Sequence, residues 1–201
     1  MKLVVVGGHS RSIGKTSVAT SLIAGLRDLE WMALKITQFG HGVCSSDGEP
    51  CDCEPTDLDH PYAIAREEDV DGETDTARFL RAGAREVYWV RTRVGELAAV
   101  IPAIRKLIVG RRNVLMESNS ILDHLTPDLY LPVVDFAVED FKASSRHFFA
   151  RADAIVVRDR PEVRPDWEGV DVSVLSQKPT FPVRPPDYCS PQLVRFVAER
   201  M

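Results

Sequence analysis

The sequence predicts an α/β fold of three layers, a mainly parallel sheet with helices on both faces. Three observations carry that prediction. Short β-branched runs are apolar throughout, as strands covered on both faces are. Segments with helical apolar spacing stand between them, and turn-forming residues mark the junctions. With 201 residues, 44% hydrophobic and 27% charged, the chain is expected to form one domain over 1–201 with a sizeable core, which excludes a fibrous or disordered protein. No run approaches the roughly 20 apolar residues that cross a bilayer. The apolar run Leu3 to Val6 stops at Gly7-Gly8, short of a secretory core. A cytoplasmic chain with no membrane partner is expected. A formal charge of −5 gives no reason to expect nucleic acid as a partner.

The elements follow in order. Lys2 to Gly7 reads as a buried strand. Val18, Leu22, Leu26 and Leu29 recur at three- and four-residue steps and predict a helix from about Lys15 to Leu29. Met32 to Thr37 is the next strand. Phe39 to about Gly72 has no period and reads as an insertion, at a length that points to function. Between Asp47 and Asp75, twelve acidic residues face Arg66 alone. Thr74 caps a helix that ends near Gly83, and Glu86 to Arg91 follows as a strand. Glu96 to Val109 is a helix with Pro102 as a kink point. Val114 to Glu117, Leu129 to Phe136 and Ala154 to Val157 read as strands, with a helix near Asp140 to Ala150. The proline-rich Pro179 to Pro186 precedes a last amphipathic helix carrying Leu193, Phe196 and Val197.

In parallel sheets ligands sit beyond the carboxyl ends of the strands. There the sequence places Gly8, His9, Ser10, Arg11, Ser12, Ile13, Gly14, Lys15, Thr16 and Ser17, between the first strand and the first helix. This is the context of a phosphate-binding loop. Backbone N–H groups around Ile13 and Gly14 would cradle phosphate oxygens, Lys15 would neutralise terminal phosphates, and the Thr16 hydroxyl would ligate magnesium. Five residues separate Gly8 from Gly14, one more than the common spacing. His9 reads either as a contact to phosphate or to a second substrate, or as a turn-capping or exposed residue.

A glycine, five residues and then Gly-Lys-Thr resembles the phosphate loop of dethiobiotin synthetase and the ATP-dependent cobyrinic acid amidases. These belong to the P-loop NTPase class, which also holds the molybdopterin-guanine dinucleotide biosynthesis protein B family. That last family is the one the chain resembles most. Lys35-Ile36-Thr37 looks like its lysine-containing strand end, Glu73-Thr74-Asp75-Thr76 and Arg81-Ala82-Gly83-Ala84 like its helix start and end, and Val114 to Glu117 like its acidic strand end. Ser118-Asn119 stand where the relatives continue with glycine. The resemblance implies a P-loop NTPase fold, a bound ATP or GTP, and magnesium.

Magnesium takes oxygen ligands and needs only one or two carboxylates. Thr16, Asp75 and Glu117 are the candidates, Asp75 also reading as charge compensation for its helix. Phosphoryl transfer in such a site rests on positioning and charge, so Lys15, Lys35 and Glu117 are the candidate catalytic residues. Lys35 would be a second cation near the γ-phosphate or an acidic substrate, or an ordinary surface lysine. The Asn-Lys-x-Asp tetrad of many GTPases is absent. Val157-Arg158-Asp159-Arg160 occupies a similar strand end, which leaves ATP and GTP both open.

Three of four cysteines cluster in the insertion. His41, Cys44, Cys51 and Cys53, with His60 as the alternative histidine, make a zinc ligand set; free thiols, a disulfide, or an iron–sulfur cluster of unusual spacing are the other readings. Cys189 stands apart. Three functions follow as expectations: a magnesium-dependent, slow NTPase acting as an adaptor in molybdenum cofactor biosynthesis with a protein partner; a ligase that phosphorylates a small acidic substrate, with Lys35 and Ser118-Asn119 as contacts; or a metal-insertion chaperone. The resembling families also imply a homodimer.

Overall fold

β1 (Lys2–Gly8) has the continuous burial expected of a central parallel strand. A computed structural model of the chain describes residues 1–39, 61–158, 165 and 167–201. After β1 come α1 (Lys15–Gly25), β2 (Met32–Phe39), β3 (Tyr62–Arg66), α2 (Asp75–Ala82), β4 (Glu86–Arg93), α3 (Leu97–Ile108) and β5 (Asn113–Glu117). The remaining elements are β6 (Leu129–Asp135), α4 (Ala143–Phe148), β7 (Ile155–Arg158), α5 (Val174–Gln177), β8 (Thr180–Val183) and α6 (Pro191–Ala198). The strands form one sheet in the order β3-β4-β2-β5-β1-β6-β7-β8, and only β3 runs antiparallel to its neighbour.

Alternation along the strands divides the core into two. Val4, Val6, Ala33, Leu115, Leu131 and Val133 pack with Val18, Leu22 and Ile23 of α1, Phe79 of α2 and Leu193 of α6. Leu3, Val5, Leu34, Val90, Val114 and Met116 turn the other way, onto Val100 and Ile104 of α3 and Phe148 of α4. The three-layer expectation is met, and Glu117 follows Leu115 by two, as Lys35 follows Ala33. Both therefore stand on the α1/α2 face, and the parallel register pairs them directly, Lys35 beside Glu117 and Glu117 beside Val6.

Several boundaries differ from the sequence reading. The first helix closes at Gly25 because Leu26 leaves helical geometry at φ −133° and ψ 44°, and Arg27–Leu29 form a separate 3-10 turn that the left-handed Glu30 ends before β2. β2 runs on to Phe39, so Lys35 lies in mid-strand rather than at its end. Part of the expected aperiodic insertion is β3, a short edge strand whose Tyr62 and Ile64 pack on the core. β8 contains Pro182, which an edge strand tolerates because one side of it has no ladder to serve. The predicted α2 is present with its signals: Thr74 Oγ1 accepts from the Ala77 N–H at 3.0 Å, and Gly83 closes the helix at φ 107°. Among the described residues no helix is long and apolar enough to cross a membrane.

Phe79 fixes α2, and hence Asp75, against the sheet; it is fully buried. Phe79→Ala is expected to cost about 3–5 kcal/mol of unfolding free energy. Urea titration should show a lower midpoint with an unchanged slope.

Candidate nucleotide site

The loop that leaves β1 is held from both sides. Gly8 N–H donates to Asn119 Oδ1 at 2.8 Å, and Asn119 Nδ2 donates back to Gly8 O at 2.7 Å. One side-chain amide thus copies the two bonds of a strand partner just beyond β5. A Cβ on Gly7 would collide with that same Asn119 Oδ1. On the other side the His9 N–H donates to Val133 O at 3.2 Å, the Lys142 N–H donates to His9 O at 2.8 Å, and Ser10 Oγ donates to Asp140 Oδ2 at 2.8 Å.

Two left-handed residues then turn the chain into α1: Ser12 at φ 51° and Gly14 at φ 98°. Gly14 is required twice, by its conformation and because a Cβ there would meet the Tyr188 ring. Among the described residues the N–H groups of Ile13, Gly14, Lys15 and Thr16 donate to no protein acceptor. Such orphan donors at a helix start form an anion-binding nest. Lys15 Nζ spans the loop to Ser10 O at 2.9 Å. Burial lowers its pKa, and the nearby Lys35 and Arg11 add to that while Glu117 opposes it.

A cavity of about 720 Å³ opens over this turn, at the carboxyl edge of the sheet. Arg11, Ser12, Gly14, Lys15, Thr16 and Ser17 line it from the loop. Lys35, Asp75 and Glu117 line it too, and they form one node with Thr16. Lys35 Nζ donates to Asp75 Oδ2 at 2.6 Å, to Glu117 Oε1 at 3.1 Å and to Thr16 Oγ1 at 3.2 Å. Thr16 Oγ1 in turn donates to Glu117 Oε2 at 2.8 Å. Arg78 joins α2 to α1, reaching Asp75 Oδ1 at 3.3 Å and Ser17 Oγ at 2.9 Å. Oxygens from α1, α2 and β5 therefore converge on a single cationic group.

No family model and no curated protein matches the sequence. Solved structures match in fold. HypB from Helicobacter pylori, solved in complex with nickel, gives a TM-score of 0.52 at 16% identity, over 98% of this chain and 86% of that one. The fold is that of the P-loop NTPases. LpxK from Aquifex aeolicus, solved in complex with ATP, gives 0.47 at 17% identity over 90% of this chain, which spans 53% of the length of LpxK. MobB from Bacillus subtilis gives 0.40 at 16% identity over 100% of this chain and 98% of that one.

Within this P-loop fold the expected residues divide. Lys15, Thr16, Lys35, Asp75 and Glu117, far apart in sequence, are brought together. Gly8, His9, Ser10 and Ile13 are not in the cavity wall. Ile13 is buried with the apolar residues of α1, and the Ser10 hydroxyl is spent on Asp140. His9 corrects both of its readings. It is fully buried, packed against Phe141 and Trp167 at ring separations of 5.1 and 5.2 Å, and its Nε2 donates to Val138 O at 3.1 Å. Burial holds its pKa below 6.5 despite that bond; it is a neutral strut under the loop. Asn119 lines the cavity, but its amide is committed to Gly8, not to a substrate. Arg158 pairs with the buried Asp135 at 3.1 Å. Asp159, Arg160, His41, Cys44, Cys51, Cys53 and His60 lie outside the described residues. Burial raises the Cys189 thiol pKa to about 12. Lys142 and Tyr188, which no motif marks, also line the wall.

The node carries a pH dependence whose sign is fixed. Burial opposes the charge on Lys35, but Glu117 and Asp75 outweigh it and hold its pKa above 10.5. Burial likewise opposes ionisation of Asp75, and Lys35 and Arg78 outweigh it, holding the carboxyl below 3.8. Asp75 thus contributes stability that is full above 3.8 and lost as pH falls below it, while the Lys35 contribution is full below 10.5 and lost above it. In urea titrations over a pH series, Asp75→Asn is expected to be less stable than wild type near neutrality, with the gap narrowing as the pH falls below 3.8. A gap that persists unchanged in acid would contradict this.

Proposed function

We propose that the chain binds a magnesium–nucleoside triphosphate at the Gly8–Ser17 loop and hydrolyses it slowly. The observation that supports this reading best is the joining, in one cavity, of an orphan-donor turn, Lys15, Thr16 and the Asp75–Glu117 acid pair. Phosphate oxygens would take the N–H groups from Ile13 to Thr16, and Lys15 would leave the Ser10 carbonyl for the terminal phosphates. ATP and GTP share that tail.

Thr16 Oγ1, Asp75 and Glu117 would hold magnesium, which when bound neutralises charge on the phosphates. The donor set fits a hard cation: three oxygen-bearing side chains already surround the Lys35 ammonium, a stand-in for it. Lys35 and the metal would compete for the same oxygens, so metal–nucleotide binding is coupled to release of the Lys35 ion pairs. Freed from them, Lys35 supplies a second positive charge on the phosphate side. No side chain has to act as a nucleophile, since positioning and charge do most of the work in this class of reaction.

The finer reading is an adaptor in molybdenum cofactor biosynthesis, supported by the Glu73-Thr74-Asp75-Thr76 start of α2 and the Arg81-Ala82-Gly83-Ala84 end. The ligase reading loses one support, because the Asn119 amide is used by Gly8. The chaperone reading and a zinc site at His41, Cys44, Cys51 and Cys53, or His60, rest on sequence alone.

In calorimetric titrations with MgATP and MgGTP, wild type should bind at least one, and Lys15→Ala should bind neither. Unchanged affinity in Lys15→Ala would overturn the proposal. For zinc, elemental analysis should find one equivalent per chain that is lost from a Cys51→Ser, Cys53→Ser double variant; metal-free native protein would end that reading.

A further inference from the structure

Two cations in the cavity wall belong to no motif, Arg78 and Lys142, and Arg78 is already paired with Asp75. Lys142 immediately precedes α4, in a segment bonded to the phosphate loop through its own N–H and through Asp140. Its position is therefore set by the loop itself. The ammonium has no hydrogen bond or ion pair among the described residues. Facing it are Lys15 from α1 and Arg11 from the loop, which repel it, and Asp140 from its own segment, which attracts it. Burial and the two cations bring its pKa down to about 8. Holding like charges together in a partly buried wall is costly. An anion of several charges placed among them would reverse the sign of every one of those repulsions.

We infer that Lys142 is a second polyphosphate-binding lysine, which meets the phosphates of the nucleotide from the β6 side of the loop while Lys15 meets them from α1. The inference rests on the nucleotide reading above. It explains why the Lys142 backbone is tied to His9: the bond keeps the side chain in step with the loop. Arg11 lines the same wall, so the anion-facing charge is spread over two segments brought together by the pairing of β1 with β6. A polyphosphate would restore the protonated form of Lys142, so binding takes up a proton above about pH 8 and weakens as the pH rises further.

The test titrates MgATP, or MgGTP if that is what wild type binds, into wild type, Lys142→Met, Lys142→Gln, Lys142→Arg and Lys15→Ala between about pH 7 and pH 9.5. Losing a charge-assisted contact is expected to weaken triphosphate binding about tenfold or more in the Met and Gln variants, with Arg within a few-fold of wild type. Wild-type affinity should fall from about pH 8 upward, and the Arg variant should fall less. Thermal melts should leave all three variants folded, since the side chain holds nothing in place; if Met or Gln misfolds, the pH profiles of wild type and Lys142→Arg decide alone. Wild-type affinity in Met and Gln variants that Lys15→Ala lacks would overturn the inference and leave the nucleotide reading standing, as would identical pH profiles for wild type and Lys142→Arg. Failure of wild type to bind any triphosphate would remove both.

Discussion

Lys35 carries a charge from the middle of a strand into a wall where Asp75, Glu117 and Thr16 meet it, and the site depends on that compensation. Glu117 is 5% exposed and the Lys35 side chain 18%. Burying either charge alone would be costly, since removing one partner of a buried pair leaves the other desolvated and unpaired. The pair is not simply a stabilising device. A hydrophobic pair of similar volume would serve the core as well, but it would leave α1, α2 and β5 with no shared polar contact. As it stands, the first turn of α1, the first residue of α2 and the end of β5 are referenced to one ammonium group. Three elements that contact each other through apolar side chains below are thus brought into register at the cavity above.

The loop is positioned by a second set of bonds. Asn119 pairs with Gly8 from the β5 side, while Asp140, the Lys142 N–H and Val133 hold Ser10 and His9 from the β6 side. His9, packed among Phe141 and Trp167 with Trp167 Nε1 donating to the same Val138 carbonyl at 2.9 Å, fills the space beneath. These bonds anchor Gly8, His9 and the Ser10 side chain. The second half of the loop, from Ile13 to Thr16, keeps its N–H groups without a protein acceptor among the described residues, and Gly14, Lys15 and Thr16 line the cavity. Rigid support on one side and unused donors on the other are what preorganise an anion site, because little ordering remains to be done on binding.

The sequence made the central strands legible because burial on both faces turns them into unbroken apolar runs. The same criterion misses β3 and β8. Their residues are partly exposed at the sheet edges, and Pro182 or an acidic neighbourhood masks the pattern. Lys15, Thr16, Asp75 and Glu117 stand out because each is a polar residue at an element boundary next to an apolar segment. Lys35 stands out by its strand, although it lies inside that strand and not at its end. Lys142 does not stand out, and the roles that Asn119 and His9 take are not legible, because all three follow from which strand ends become neighbours. The order β2-β5-β1-β6 decides that, and no local spacing encodes it. His9 is the sharpest example: in the loop sequence it looks like a ligand residue, and only the Phe141 and Trp167 side chains show that it is enclosed.

An identity of 16% to HypB over 98% of this chain shows how little of the fold is held by particular residues. Apolar alternation and the positions of turns are enough to build the sheet, and many sequences supply both. Function cannot be carried across on that basis, because the same frame serves different chemistries through the residues at its carboxyl edge. In this chain those residues include a lysine in mid-strand that makes its own ion pairs with the candidate metal ligands. A cation entering the node must therefore offer the carboxylates more than Lys35 does. A bare divalent ion must do so by its own charge, whereas one that arrives with a polyphosphate also gives the displaced ammonium a new anionic partner. If magnesium is held there as proposed, the metal and the phosphates would be favoured to arrive together, a coupling that would follow from the position of Lys35 and not from the loop motif.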